Sequence, residues 1–146
     1  MNSICTGMCL LLCIRKKGDS VRKNQYEANE QVKLFRWSEF ATGKYPCLSL
    51  LYHIPNGGSR DKREAHNLKL QGVKPGVPDI CLPVSCGKYH GLYIEMKYSK
   101  NKPTDNQNRW LKSLCRNGYC TAVCYSWEEA RKVIENYLNG GINYAE

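Results

Sequence analysis

The chain has 146 residues and carries 22 Lys and Arg against 13 Asp and Glu, a formal charge of +9. That length predicts one domain with its own core, and 42% hydrophobic with 10% aromatic residues argues against wholesale disorder. No apolar run approaches the ~20 residues of a membrane-spanning helix, and the basic excess points to a polyanionic partner, nucleic acid above all.

Leu10, Leu11 and Leu12 are apolar, but no Lys or Arg precedes them, and Arg15, Lys16 and Lys17 follow. That is the wrong order for a secretory signal. Residues 1–23 read as a loosely structured extension outside the fold. A helical pattern begins near Gln25, with Ala28, Val32 and Phe35 as one stripe, Leu34 and Trp37 beside it, and an end before Gly43. Residues 48–52 read as a buried strand. Ile54-Pro55-Asn56-Gly57-Gly58 is turn chemistry, and Ser59 is a candidate cap for a short charged helix through Leu70. Gly72, Pro75, Gly76 and Pro78 make a stiff, irregular loop.

Residues 79–82 read as a short strand. Residues 92–97 read as another, with Leu92, Ile94 and Met96 on one face and Tyr93, Glu95 and Lys97 on the other. Pro103 and Thr104 open a helix with Trp110, Leu111 and Leu114 as its apolar stripe, ended by Gly118. Residues 119–125 read as a strand. Ser126-x-x-Glu129 is a capping box for a last helix, with Ala130, Val133, Ile134 and Tyr137 inside and Gly140 and Gly141 as its stop. The order α-β-(α)-β-β-α-β-α predicts an α/β or α+β sandwich of mixed strands with helices on the faces of one small sheet.

Nine cysteines (Cys5, Cys9, Cys13, Cys47, Cys81, Cys86, Cys115, Cys120 and Cys124) cannot all pair within one chain. Several fall inside expected strands and helices, where a free thiol behaves as a small apolar group; reduced thiols in a cytoplasmic compartment are the favoured reading. A zinc site is the sharper alternative, but there is no Cys-x-x-Cys, and His53, His66 and His90 are scattered.

The chemistry concentrates in Pro78-Asp79 and Glu95-Met96-Lys97. Glu95 and Lys97 stand two apart on a strand, so they share a face at ~6.6 Å along it. Asp79 opens the strand expected to pair with it. Neighbouring carboxylates repel, and a proton or a cation relieves that repulsion. Mg²⁺ takes carboxylate oxygens and suits phosphate substrates, where it activates water and neutralises charge developing on phosphorus. A nearby ammonium can orient the water or share that charge. A Glu and a Lys two apart on an exposed strand is also the ordinary pattern of a solvated surface. Other nuclease signatures fail: there is no His-Asn-His zinc finger and no phosphate loop, and Gly91-Leu92-Tyr93-Ile94 lacks the second element of a GIY-YIG enzyme.

Pro78-Asp79 followed by Glu95-x-Lys97 resembles the PD-(D/E)XK nuclease signature. Ile54-Pro55-Asn56-Gly57-Gly58, the run from Gly72 to Asp79, Gly91-Leu92-Tyr93-Ile94-Glu95-Met96-Lys97, Gln107-x-x-Trp110 and Gly118-Tyr119 resemble its VRR-NUC branch, in particular the stand-alone phage and bacterial members. The resemblance spans residues 25 to 138. It implies a metal-dependent DNA endonuclease with an αβββαβ core, divided as an extension (1–23), a nuclease domain (24–139) and a tail (140–146). It further implies Mg²⁺ or Mn²⁺ held by Asp79, Glu95, the carbonyl of Met96 and a carboxylate of the first helix, with Lys97 acting on the water. Glu27 is favoured over Glu30 for that helix carboxylate. Gln107 carries over as a site residue, although Thr104-x-x-Gln107 is also a capping box that one side chain could serve instead. Lys69, Lys74, Lys100, Lys102, Arg109 and Lys112 are candidate nucleic-acid contacts, although for any one of them taken alone a solvated charge is the favoured reading. Family resemblance also implies a homodimer acting on branched DNA such as four-way junctions, in a bacterial or phage-infected cytoplasm. The competing class is a basic DNA-binding module without catalysis.

Overall fold

The computed structural model describes residues 23–56 and 61–140. In chain order the elements are α1 (Lys23–Ala41), a 3₁₀ turn (Pro46–Leu50), β1 (Tyr52–His53), α2 (Lys62–Leu70), β2 (Ile80–Leu82), β3 (Leu92–Met96), α3 (Asp105–Arg116), β4 (Cys120–Cys124) and α4 (Trp127–Leu138). The four strands form one mixed sheet in the order β1-β2-β3-β4. β1 and β2 pair antiparallel, as do β2 and β3, with Ile80 opposite Ile94 and Leu82 opposite Leu92. β3 and β4 run parallel, Leu92 beside Cys120 through Met96 beside Cys124, because the α3 crossover returns the chain to the same end.

Alternation along β3 decides the layering. Leu92, Ile94 and Met96 point into the core with Ile80, Leu82, Cys120 and Cys124, where they meet Leu34 of α1 and Ala130, Ile134 and Tyr137 of α4. At ~25 cal/mol per Å² of apolar surface, each fully buried Leu or Ile here stabilises the fold by roughly 1.5–3 kcal/mol. Glu95 and Tyr93 point to the opposite face, on which α3 packs. The mixed α/β sheet flanked by helices is the architecture expected of a PD-(D/E)XK-like core.

Two helix starts are built as the sequence anticipates, one with a variation. At α3 the Thr104 hydroxyl accepts from Gln107 N–H at 3.3 Å while Gln107 Oε1 accepts from Thr104 N–H at 2.9 Å, a complete capping box. At α4 the Ser126 hydroxyl accepts from Glu129 N–H at 3.2 Å, but Glu129 Oε2 takes the N–H of Tyr125 at 2.8 Å, one residue earlier than the box prescribes.

Other details depart from the sequence reading. Of the strand expected over residues 48–52 only Tyr52 is strand, in β1; before it the chain makes a 3₁₀ turn that buries Leu48 and leaves Leu50 exposed. Leu48 N–H donates to Tyr45 O and Leu51 N–H to Leu48 O, the three-residue spacing of that helix, and Pro46 starts it with a preset φ. The buried stripe of α1 is Glu30, Leu34 and Ser38 rather than Ala28, Val32 and Phe35; Val32 is half exposed and Ala28 exposed. Polar residues occupy that stripe because their groups are bonded: the Ser38 hydroxyl donates to Phe35 O at 2.7 Å, and Glu30 reaches across to α4. The cap of α2 is Asp61, whose carboxylate accepts from Arg63 N–H at 3.1 Å. Ser59, Gly57, Gly58, Gly141 and residues 1–22 of the extension expected over 1–23 lie outside the described residues, and Lys23 already belongs to α1. Cys81, Cys120 and Cys124 are buried and pack as small side chains.

Candidate active site

Asp79 immediately precedes β2, and Glu95 and Lys97 stand at the end of β3. Antiparallel pairing puts the start of one strand beside the end of the other, so these side chains gather at one rim of the sheet. Asp79 Oδ2 accepts from Met96 N–H at 2.8 Å, which ties its carboxylate to β3. Lys97 Nζ donates to Glu95 Oε1 at 2.5 Å, and Gln107 Nε2 donates to that same oxygen. Glu95 has no exposed surface, and its second oxygen, Oε2, is buried with no hydrogen-bond donor among the described residues.

Burial pushes the Glu95 carboxyl up to about 7, and the charge of Asp79 adds to the effect; Lys97 opposes both, and Glu27 contributes a further rise. The Asp79 carboxyl is also raised, chiefly by burial, against the pull of Met96 N–H, Lys97, His53 and a side-chain hydrogen bond shared with Glu95. A buried carboxylate with one oxygen unmatched, beside a second carboxylate, is a site whose charge favours a proton or a cation.

The first helix supplies one more carboxylate. Glu27 Oε1 accepts from Tyr98 N–H at 3.0 Å, one residue beyond Lys97, and the Tyr26 and Tyr98 rings meet at 4.6 Å beside it. Glu30, three residues on, points elsewhere: its Oε2 accepts from Trp127 N–H at 2.8 Å and its Oε1 from Lys33 at 2.6 Å. It satisfies a free N–H in the first turn of α4.

Among the described residues no group of three or more His, Cys, Asp and Glu side chains is gathered as a metal cage. A hard ion such as Mg²⁺ needs only one or two carboxylates from the protein, since it keeps several waters. Asp79 and the unmatched Oε2 of Glu95 fit that requirement in number and in donor type. The VRR-NUC domain family model matches residues 19–128.

The chain belongs to the VRR-NUC domain family. This VRR-NUC chain is also similar to a solved structure described as a "VRR_NUC domain protein", at 29% identity and a TM-score of 0.65, over 79% of this chain and 89% of that one. No curated protein sequence matches it significantly. Membership places it in a nuclease-domain family. No helix among the described residues is long and apolar enough to cross a membrane.

Of the VRR-NUC site residues expected from sequence, Asp79, Glu95, Lys97 and Gln107 meet at the rim, and Glu27 borders it. Gln107 makes two contacts at once, its carbonyl oxygen capping α3 while its amide nitrogen donates to Glu95. The six candidate phosphate contacts are all exposed and are spread over several elements. Lys100 and Lys102 lie between β3 and α3, Arg109 and Lys112 on α3, Lys69 in the last turn of α2 and Lys74 just beyond it. Arg109 also donates to Asn106 on its own helix. His53 was not anticipated. Its Nδ1 lies 2.9 Å from the carbonyl oxygen of Asp79, across 26 residues, and no local pattern in the sequence signals that contact.

Proposed function

We propose that this protein is a divalent-metal-dependent DNA endonuclease that hydrolyses phosphodiester bonds at the Asp79–Glu95–Lys97 rim. One observation carries the reading: a fully buried glutamate has one oxygen saturated by Lys97 and Gln107 and the other unmatched next to Asp79. Asp79, Glu95 Oε2 and the carbonyl of Met96 would hold Mg²⁺ or Mn²⁺, with Glu27 holding the ion or its waters from the side of α1. When bound, such an ion lowers the pKa of water and offsets charge on the phosphate.

The protein's own groups do the rest. Gln107 and Lys97 fix Glu95 so that its carboxylate cannot rotate away. Lys97, held beside the acidic pair, orients the attacking water and shares the negative charge that builds on the phosphate oxygens. Lys69, Lys74, Lys100, Lys102, Arg109 and Lys112 contribute to a positive field that holds the DNA backbone, while the acidic groups stay confined to the rim.

The finer reading rests on kinship within the VRR-NUC family: a nuclease domain over 24–139, acting as a homodimer on branched DNA such as a four-way junction. A two-fold axis would present two rims to symmetrically related strands. The deciding experiment offers Mg²⁺ or Mn²⁺ with linear duplex, flap, single-strand and junction substrates, with Glu95→Ala as control. Cleavage by the wild type and none by Glu95→Ala is expected. Equal cutting of all four substrates overturns the selectivity. DNA binding without cleavage under any of these conditions overturns the enzyme and favours a basic binding module.

A further inference from the structure

Asp79 is delivered by a stretch of chain between α2 and β2 that has no regular structure. A carboxylate beside another carboxylate is under steady repulsion, so something must hold this loop in place. Three side chains reach its carbonyls: His53 Nδ1 lies 2.9 Å from Asp79 O, to which Ile54 N–H also donates at 2.7 Å, and two more hold the chain just ahead of Asp79. Asn56 Nδ2 donates to Val77 O at 3.0 Å, and Trp110 Nε1 donates to Pro75 O at 3.1 Å. Between those two points Gly76, at φ +86°, rests on the first turn of α3. A Cβ there would stand 2.8 Å from the Asn106 carbonyl carbon and 3.0 Å from Gln107 N, so only glycine allows the approach.

The same helix therefore contacts both halves of the site. Gln107 holds Glu95, and Trp110, one turn further on, holds Pro75, four residues before Asp79. From Pro75 to Asp79 the chain has little freedom, since Pro75 and Pro78 have fixed φ and Pro78 is buried. Pro75 is thereby joined to Asp79 by a short segment whose middle, Val77, is held by Asn56. The α3 turn is itself stiff, closed by its capping box and anchored by buried Leu111.

We propose that Trp110 is a positioning residue for this site: by holding Pro75, its indole N–H sets the place of the Asp79 carboxylate relative to Glu95. The inference builds on the metal-site reading above and adds a residue that touches neither ion nor substrate. It separates the indole's hydrogen bond from its bulk, because a ring that merely packed would serve as well without its N–H.

The test measures Mn²⁺ binding to the full chain without DNA, by calorimetry and by the electron spin resonance of the ion. It compares wild type, Trp110→Phe and a chain carrying the benzothiophene isostere of tryptophan at 110, which replaces N–H by sulfur and keeps the shape. Both replacements should weaken Mn²⁺ binding about tenfold, as loss of a supporting hydrogen bond around a metal site does. Cleavage should recover at saturating Mn²⁺ with KM for DNA unchanged. Asn56→Ala, which releases the other grip, should behave likewise. Unchanged Mn²⁺ affinity in the isostere chain, with or without a fall in Tm, overturns the role of Trp110 alone. A wild-type chain that binds no Mn²⁺ overturns the metal reading beneath it.

Discussion

Glu95 and Lys97, both buried, share a single hydrogen bond, Nζ to Oε1 at 2.5 Å, and the glutamate's other oxygen has no donor among the described residues. The pair is neutral in charge, but one glutamate oxygen stays unsatisfied. A buried ion pair with an unsatisfied lone pair costs stability, a cost that the proposed ion would offset.

Replacing Glu95 by Gln removes one of the two neighbouring carboxylate charges while preserving shape, leaving Asp79 as the counter-charge of Lys97. The metal-free Glu95→Gln protein is expected to be more stable than wild type above pH 7, by about 1–3 kcal/mol, the usual penalty of an unsatisfied buried polar group. It should lose cleavage and the rise in Tm that Mg²⁺ or Mn²⁺ gives the wild type. Thermal unfolding with and without the ion checks both. A variant that is less stable at every pH would contradict the assignment of Oε2 as unmatched.

The same raised carboxyl makes stability depend on pH. Its folded value, about 7, lies above the ordinary 4.5, so between those values the folded protein binds more protons than the unfolded chain. Stability is therefore full below about pH 4.5 as far as this group is concerned and is lost as pH rises towards 7, by about 3 kcal/mol. Asp79, also raised, acts in the same direction. Urea unfolding of the metal-free protein at pH 5 and pH 8 should show the loss, and Glu95→Gln should flatten it.

Gln107 and Thr104 separate capping from catalysis. Thr104→Ala removes only the cap and should cost about 1 kcal/mol of stability with cleavage retained. Gln107→Ala removes the reciprocal cap and also frees Glu95, so a comparable stability loss should come with a fall in kcat of tenfold or more. Equal kcat in both variants would leave Gln107 as a cap alone.

Glu27 and Glu30 should divide in the opposite sense. Glu30→Ala leaves Trp127 N–H without its acceptor and should destabilise by about 1–3 kcal/mol while cleavage below Tm persists. Glu27→Ala should depress cleavage with a smaller stability loss, since its partner Tyr98 N–H lies at the edge of the site. Denaturant midpoints and initial rates on one substrate distinguish the two.

Ser99 follows the site at φ 51°, a left-handed conformation that L side chains rarely adopt. Ser99→Gly should relieve that strain and stabilise the protein by up to about 1 kcal/mol, offset in part by the entropy of glycine in the unfolded chain. Chemical denaturation reads the difference directly.

The order of elements, the caps at Thr104 and Ser126 and the signature residues Asp79, Glu95 and Lys97 were legible in the sequence because each depends on neighbours within a few positions. Alternation in β3 alone put Glu95 on the face away from Leu92 and Met96. What required the tertiary structure was pairing at long range. The buried stripe of α1 could not be read, since its Glu30 and Ser38 look like surface residues until Trp127 N–H and Phe35 O are seen to satisfy them. The double duty of Gln107, the grip of Trp110 on Pro75 and the unmatched oxygen of Glu95 were likewise decided only by the fold. Hydrogen bonding is directional and short-ranged, so which partner a polar group finds depends on where the packed layers bring the backbone, and no periodicity along the chain encodes that.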